Sequence, residues 1–165
     1  MAQTALRGNP VNLVGDLPAV GDAAPSFSLT ADNLSQLTAA DFPGKNIVLN
    51  IFPSIDTPVC ATSVRTFNQR AAGLDDTVVL CVSADLPFAQ KRFCGAEGIE
   101  NVKTGSTFRS GFGEQFGVTL ADSRMAGLLA RAVVVVGPDG KVTYTELVPE
   151  IANEPDYDAA LGALA

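Results

Sequence analysis

Cys60 is the residue whose position in this chain most directly suggests chemistry. It ends the segment PSIDTPVC at residues 53–60, which follows an apolar run at residues 47–52 and precedes a helix-like stretch at residues 61–72. This order predicts a strand, a tight turn and a thiol at a helix N-terminus, where unpaired backbone N–H groups and the helix dipole favour an anionic sulfur. Because the thiolate is the nucleophilic form of cysteine, we expect Cys60 to be reactive.

The remaining composition limits which chemistry can involve this thiol. The chain has no histidine, which excludes Ser-His-Asp and Cys-His nucleophile pairs and histidine-ligated zinc. Its three cysteines, Cys60, Cys81 and Cys94, are too few for a four-cysteine zinc or iron–sulfur site, so we expect no metal and no other cofactor. An odd cysteine count is also a poor disulfide framework and favours a reducing compartment.

Length and charge indicate the class of protein. A chain of 165 residues with 47% apolar content is predicted to form one domain over residues 1–165 with its own core. The net charge of −7, with only 11 Lys and Arg, argues against a nucleic-acid partner. The N-terminal residues lack a signal-peptide core and no apolar run reaches the roughly 18 residues of a membrane helix, which predicts a soluble cytoplasmic protein without membrane contact.

Three nearly continuous apolar runs are predicted to be central strands covered on both faces, at residues 46–52, 77–83 and 132–136. The first two flank the predicted helix and form a βαβ unit with parallel strands. The sequence GPDG joins the third run to residues 141–147, which indicates an antiparallel hairpin. A small hairpin within residues 3–15 and an edge strand within residues 21–30 precede this region.

Two further helices are predicted from aromatic spacing and proline placement. Phe108, Phe112 and Phe116 recur at spacing four and predict one helix over residues 107–117 with a buried aromatic stripe, ending at Gly117.

A short C-terminal helix is predicted over residues 154–164, opened by Pro155 and burying Tyr157, Leu161 and Leu164. The resulting element order is that of an α/β, thioredoxin-like fold, with a central mixed sheet flanked by helices and an N-terminal β-hairpin extension. Cys60 and Cys94 then each follow the carboxyl end of a parallel strand, on the same sheet edge. Arg131 precedes the third strand and reaches that edge only if this strand is antiparallel.

The segment Pro53-x-x-x-Thr57-x-x-Cys60 resembles the active-site signature of the peroxiredoxins. Agreement extends through residues 50–54, 85–94 and 127–132, and essentially the whole chain is similar to bacterial thiol peroxidases, which are atypical two-cysteine peroxiredoxins. The resemblance implies an antioxidant peroxidase that reduces hydrogen peroxide and alkyl hydroperoxides, is recycled by thioredoxin and forms a homodimer.

The resemblance also implies a role for each matching residue. Cys60 corresponds to the peroxidatic thiol and Arg131 to its cationic partner. Thr57 corresponds to a hydrogen-bonding partner of sulfur and peroxide, and Pro53 to a shield over the pocket. Cys94 corresponds to the resolving cysteine, which forms an intramolecular disulfide with the peroxidatic one.

Taken without the resemblance, most of these residues have a purely structural alternative. Cys81 lies inside an apolar run and is interpreted as a packing residue. Cys94 fits an inert thiol near a helix end equally well. A buried Arg131 would be satisfied by a carboxylate such as Asp122, and Thr57 fits a helix cap.

The predicted chemistry needs more than an ionised sulfur. A free thiol is only about 3% thiolate at neutral pH, so complete ionisation raises the rate at most about 30-fold, and alignment of the peroxide by Thr57 and Arg131 must supply the rest. A disulfide requires Cα atoms within about 7 Å, so we expect the segments around Cys60 and Cys94 to unwind on oxidation.

Two other classes of function also use a reactive thiol. A dithiol-disulfide oxidoreductase uses Cys-x-x-Cys at the turn into the helix, but this chain has Thr57-Pro58-Val59-Cys60 and lacks the second sulfur. A redox sensor or binding module whose partner surface changes on oxidation of Cys60 remains open. Repeated turnover of peroxide distinguishes an enzyme from such a sensor.

Overall fold

A seven-stranded mixed sheet forms the centre of this computed structural model, which describes residues 2–164. The prediction of a single domain over residues 1–165 includes Met1 and Ala165, which lie outside the described residues, and it stays a prediction. Within the described part, no helix is long and apolar enough to cross a membrane.

The strands, in chain order, are β1 (Gln3–Leu6), β2 (Asn9–Asn12), β3 (Ser28–Thr30), β4 (Gln36–Thr38), β5 (Asn46–Ile51), β6 (Thr77–Ser83), β7 (Lys103–Ser106), β8 (Ala132–Val136) and β9 (Val142–Leu147). The α-helices are α1 (Pro58–Ala71), α2 (Pro87–Glu97), α3 (Phe112–Gln115) and α4 (Tyr157–Gly162). The strands β1 and β2 form a separate hairpin, and the large sheet has the order β4-β3-β7-β6-β5-β8-β9.

The three apolar runs are the central strands, as predicted. Every residue of β5 and β8 is buried, because both faces of the sheet are covered. The strand β5 pairs in parallel with β6 and antiparallel with β8. The predicted βαβ unit, the β8–β9 hairpin and the N-terminal hairpin are therefore confirmed. The antiparallel direction of β8 brings its first residue to the edge at which β5 ends.

Side chains of β5 alternate between two apolar clusters on opposite faces of the sheet. Leu49 and Ile51 pack in one cluster with the rings of Phe112 and Phe116. Val48 packs on the other face, in the cluster that contains Cys60 and several side chains of α1. The helix carrying Cys60 is thus held against the sheet by its buried face, and its N-terminus lies where β5 ends.

The predicted helix over residues 107–117 is wrong for most of its length. Only α3 is helical in this region, and Phe108 is 45% exposed, whereas Phe112 and Phe116 are buried and stacked at a centroid distance of 4.3 Å. The hydroxyls of Ser106 and Ser110 accept hydrogen bonds from the backbone N–H groups of Phe108 and Phe112, which favours turns over a continuous helix.

The predicted edge strand also differs from the structure, and two short strands were not predicted. The predicted edge strand within residues 21–30 is reduced to β3, which lies inside the sheet between β4 and β7. Neither β4 nor β7 was predicted, because segments of three and four residues are too short to show a hydrophobic period.

The C-terminal helix is shorter than the predicted residues 154–164. It follows Asp156, whose side chain accepts a hydrogen bond from the backbone N–H of Ala159 and caps the helix. Tyr157, Leu161 and Leu164 are half-buried and pack against the same cluster as Cys60, as expected for the inner face of this helix.

Candidate active site

The thiol of Cys60 lies in the first turn of α1. The helix begins at Pro58 with Thr57 as its N-cap, so the predicted start at residue 61 is wrong by three residues. Proline fits the first helical position because its fixed φ suits the helix and its missing N–H needs no partner there. Cys60 is completely buried, yet it is still at the positive end of the helix dipole.

The side chain of Arg131 contacts this sulfur. Its Nη2 donates to Sγ of Cys60 at 3.2 Å, and its Nε donates to the backbone oxygen of Ile151 at 2.7 Å. Arg131 is 2% exposed, and among the described residues its Nη1 has no hydrogen-bond partner. The alternative partner Asp122 instead accepts two hydrogen bonds from Asn12. A buried cation therefore faces sulfur rather than a carboxylate.

Thr57 occupies the N-cap position, but its side chain does not cap the helix. Its Oγ1 donates to the backbone oxygen of Ser54 at 2.9 Å, across the turn that joins β5 to α1. This bond fixes the hydroxyl and leaves its lone pairs available to accept a further hydrogen bond. The alternative in which the side chain of Thr57 caps the helix is therefore wrong.

Apolar side chains enclose the sulfur from the turn side. Pro53 is buried directly after β5, and Phe52 and Ile55 belong to the same apolar cluster as Cys60. A cleft of about 380 Å³ opens over the first turn of α1 and is lined by Ile55, Asp56, Thr57, Pro58, Ala61, Thr62, Arg65 and Phe93. This cleft gives solvent access to the turn next to the buried thiol.

Cys94 lies in the last turns of α2 and is half-buried. It packs against the cluster that contains Cys60 and also lines a surface cleft with Asp32 and Ile99. Burial, with a smaller contribution from the charge of Asp32, raises the pKa of Cys94 to about 11. Within the intact helix it is therefore a neutral thiol at physiological pH, and it is not bonded to Cys60.

Cys81 packs in the core, as its apolar run predicted. It is completely buried in β6, where Nδ2 of Asn50 lies 3.6 Å from its sulfur. Burial raises the pKa of Cys81 to about 12, so its thiol is neutral under physiological conditions. Its complete burial separates the sulfur of Cys81 from solvent.

Asp85, whose carboxylate binds the turn after β5, was not among the predicted site residues. It accepts hydrogen bonds from Ser54 Oγ and from the backbone N–H of Ile55. A polar residue just past the end of the neighbouring strand was a signal for it, although such residues are common. Between residues 2 and 164 no group of three or more metal-binding side chains is arranged to hold a metal ion.

A thioredoxin-like mixed sheet with a buried thiol at the start of the first long helix, facing an arginine, defines a thiol-based redox protein. Comparison with known proteins agrees with this class. A family model described as Redoxin matches residues 19–161. A thiol peroxidase of Mycobacterium tuberculosis is 67% identical over 164 residues, which are 99% of both chains. A thiol peroxidase of Corynebacterium glutamicum is 58% identical over the same length and coverage.

A solved structure of a peroxiredoxin-like protein from Aquifex aeolicus superposes with a TM-score of 0.93 at 41% identity, covering 99% of this chain and 96% of that one. The chain therefore belongs to the Redoxin family, in the group of the bacterial thiol peroxidases. The predicted fold class, the predicted family and the predicted enzyme class, a peroxidase, are confirmed at this level.

Proposed function

We propose that the protein reduces hydrogen peroxide and organic hydroperoxides at Cys60, with Cys94 as the resolving cysteine and thioredoxin as the reductant. The observation that carries the proposal is the 3.2 Å contact between Arg131 Nη2 and Cys60 Sγ inside an apolar enclosure. A buried guanidinium without a carboxylate partner favours an anion beside it, and the thiolate is the form that attacks peroxide.

In the first step the thiolate of Cys60 attacks the terminal oxygen of the hydroperoxide. An S–O bond forms and the O–O bond breaks, so Cys60 becomes a sulfenic acid while alkoxide or hydroxide leaves and takes a proton from solvent. The unpartnered Nη1 of Arg131 can donate to the peroxide as negative charge develops on it. The fixed hydroxyl of Thr57 aligns the substrate, and Pro53 shields the sulfur from bulk water.

In the second step Cys94 displaces the oxygen of the sulfenic acid. An S–S bond forms, the S–O bond breaks, and water is released. Cys94 is a neutral thiol in α2, and both cysteines lie in helices, so the step requires the first turn of α1 and part of α2 to unwind. Unwinding exposes Cys94 to water, which removes the desolvation that keeps it protonated.

The third step is reduction of the Cys60–Cys94 disulfide by a dithiol. Two thiol–disulfide exchanges return both thiols and leave the reductant oxidised. Thioredoxin as this reductant, the homodimer and an antioxidant role in the cytoplasm rest on the family resemblance. The odd number of cysteines also favours a reducing compartment.

Two other functions have less support. A dithiol oxidoreductase would need a second thiol at position 57, where this chain has a threonine. A redox sensor would use the same thiol but react once, and it would not require a resolving cysteine.

Comparing three cysteine variants tests the proposal. We expect Cys60→Ser to abolish peroxide consumption, because the attacking sulfur is gone, while Cys94→Ser still forms one sulfenic acid per chain but does not turn over with thioredoxin. The matched control Cys81→Ala keeps the activity. Peroxide consumption and intact mass give the readouts. Full turnover by Cys94→Ser would contradict the resolving role, and a single reaction by the wild type would favour the sensor.

A further inference from the structure

The carboxylate of Asp85 joins two segments next to the candidate site. Its Oδ1 accepts from Ser54 Oγ at 2.7 Å, and its Oδ2 accepts from the backbone N–H of Ile55 at 2.7 Å and from Ser83 Oγ at 2.6 Å. Ser54 and Ile55 belong to the turn after β5, whereas Ser83 ends β6. One half-buried carboxylate thus fastens this turn to the end of the neighbouring strand.

The same residue is connected to α2, which carries Cys94. Asp85 directly precedes Leu86, the N-cap of α2. Ser83 Oγ also accepts from Nε2 of Gln90, a buried residue of α2, at 3.1 Å. The backbone oxygen of Asp85 accepts from the hydroxyl of Ser106 at the end of β7. The network therefore connects the two segments, the turn before α1 and the start of α2, that lead into the helices that must unwind before Cys60 and Cys94 can meet in a disulfide.

Ser54 connects the hydrogen bonds of Asp85 to Thr57 in the candidate site. Its backbone oxygen accepts from Thr57 Oγ1 at 2.9 Å and from the backbone N–H of Thr57 at 3.2 Å. Its hydroxyl also accepts from the backbone N–H of Asp56 at 3.2 Å. The position of Thr57 therefore depends on where Ser54 is held. An ion pair between Arg92 and Asp56 also links α2 to the turn, but it is exposed to solvent and contributes little.

We propose that Asp85 is a positioning residue that holds the turn of residues 53–57 in its closed form and so controls the fate of oxidised Cys60. This inference rests on the proposed function. With the turn closed, Thr57 is aligned for peroxide attack. When the turn opens, the hydrogen bonds to Asp85 break and Cys60 can leave the first turn of α1. Within residues 2–164 the side chain of Asp85 accepts its hydrogen bonds from Ser54, Ile55 and Ser83 and from neither Cys60 nor Arg131, so it acts through the turn.

The sulfenic acid of Cys60 has two competing fates. Attack by Cys94 gives the disulfide and water, whereas a second hydroperoxide oxidises the sulfur by two more electrons to a sulfinic acid and leaves as alcohol or water. The first fate needs the open turn and the second takes place with the turn closed. Weakening the hold of Asp85 should therefore slow the first oxidation and also shift the sulfenic acid toward the disulfide.

Four variants test this inference. Asp85→Ala removes all three acceptor contacts, and Ser54→Ala removes one of them without changing Asp85. Asp85→Asn keeps one oxygen for the backbone N–H of Ile55, and its amide can donate to Ser54 Oγ, so it should restore most of the wild-type behaviour. Asp122→Ala is the matched control, since it removes another carboxylate that accepts two hydrogen bonds and lies outside the site.

The measurements are the second-order rate of sulfenic acid formation and the peroxide concentration at which half of Cys60 becomes sulfinic acid, read by stopped flow and intact mass. For Asp85→Ala we expect the rate to fall about tenfold and that peroxide concentration to rise by roughly three- to tenfold. Ser54→Ala should shift both quantities in the same directions by less. Asp122→Ala should match the wild type in both.

The inference would be overturned if Asp85→Ala and Ser54→Ala reach half sulfinic acid at the same peroxide concentration as the wild type. This holds even if the variants are less stable, because general destabilisation does not alter the competition between disulfide and sulfinic acid formation. If Asp85→Ala does not fold, Ser54→Ala alone decides. A wild-type protein that forms no sulfenic acid would overturn the proposed function as well. Normal wild-type oxidation with unchanged competition in the variants overturns only the role of Asp85.

Discussion

Two buried hydrogen bonds fix the orientation of the Arg131 guanidinium. Nε is held by the backbone oxygen of Ile151, and this orients Nη2 toward the sulfur of Cys60. The planar guanidinium can satisfy both partners at once, whereas an ammonium group has one nitrogen and cannot reach both. The directional match between Arg131 and Cys60 is therefore specific to arginine and not to positive charge alone.

Arg131→Lys should lower the second-order rate of Cys60 oxidation by roughly 10- to 100-fold, because one preorganised donor to the sulfur and peroxide is lost. Stopped-flow oxidation by hydrogen peroxide measures the rate. The control Arg70→Lys changes an exposed arginine that pairs with Asp158 and should leave the rate unchanged. A rate for Arg131→Lys close to that of the control would mean that the contact with sulfur does not assist the reaction.

At the scale of the element, α2 has a buried face and a C-terminus that is capped by a glycine close to Cys94. The helix ends at Gly98, which has φ of 66°, and the backbone oxygen of Cys94 accepts from the N–H groups of Gly98 and Ile99. These are the bonds that keep Cys94 in the last turns of the helix. A residue other than glycine strains this conformation and favours fraying of the helix.

Gly98→Ala should weaken the end of α2 by about 1 kcal/mol, because alanine disfavours a left-handed backbone conformation. No steric clash adds to this cost, since no atom lies within 4 Å of the added Cβ. If disulfide formation requires α2 to unwind, the rate at which the sulfenic acid is resolved should rise roughly fivefold. Rapid-quench mass analysis measures it. Gly140→Ala, with φ of 82° and equally open surroundings, is the matched control. Equal resolution rates in the two variants would argue against unwinding at this end.

Exchange of backbone amides tests the same movement without a mutation. We expect protection in residues 57–64 and 88–97 to fall when the reduced protein is oxidised to the disulfide, since the hydrogen bonds of both helical segments must break. The central strands β5, β6 and β8 are the internal reference. Identical protection of the two segments in both redox states would rule out unwinding.

For the whole molecule, the buried thiol of Cys81 links stability to pH. Burial raises its pKa in the folded protein to about 12 from an ordinary value of 9.0. Between these values the unfolded chain binds fewer protons than the folded one, so stability is complete below about pH 9 and is lost as the pH rises toward 12. The core therefore disfavours ionisation of a thiol that takes no part in the proposed reaction.

The stability of the reduced wild type should accordingly fall with pH more steeply than that of Cys81→Ala, by about 1.4 kcal/mol per pH unit above pH 9. Urea unfolding at a series of alkaline pH values measures the difference. Other groups that titrate, including Tyr144, whose pKa burial and Glu146 raise to about 12, are present in both proteins and cancel. Parallel stability curves would show that Cys81 does not contribute.

Local pattern was sufficient for the parts of this protein that are long and strongly apolar. The valine-rich run of β8 and the runs of β5 and β6 predicted buried strands, and the strand–turn–helix order predicted where Cys60 would lie. Local pattern failed at residues 107–117, where the spacing of three phenylalanines is also compatible with a turn. In this segment two serine hydroxyls accept hydrogen bonds from backbone N–H groups, and Phe108 is exposed.

The amino-acid sequence by itself determined that no imidazole can activate a nucleophile here, and that the thiol of Cys60 follows a central strand. Only the tertiary structure decided which charged side chain faces the sulfur of Cys60. Arg131 and Cys60 are 71 positions apart, and their contact depends on the antiparallel direction of β8 beside β5. Strand direction and the three contacts of Asp85 arise from packing of distant segments, which no local period in the sequence encodes.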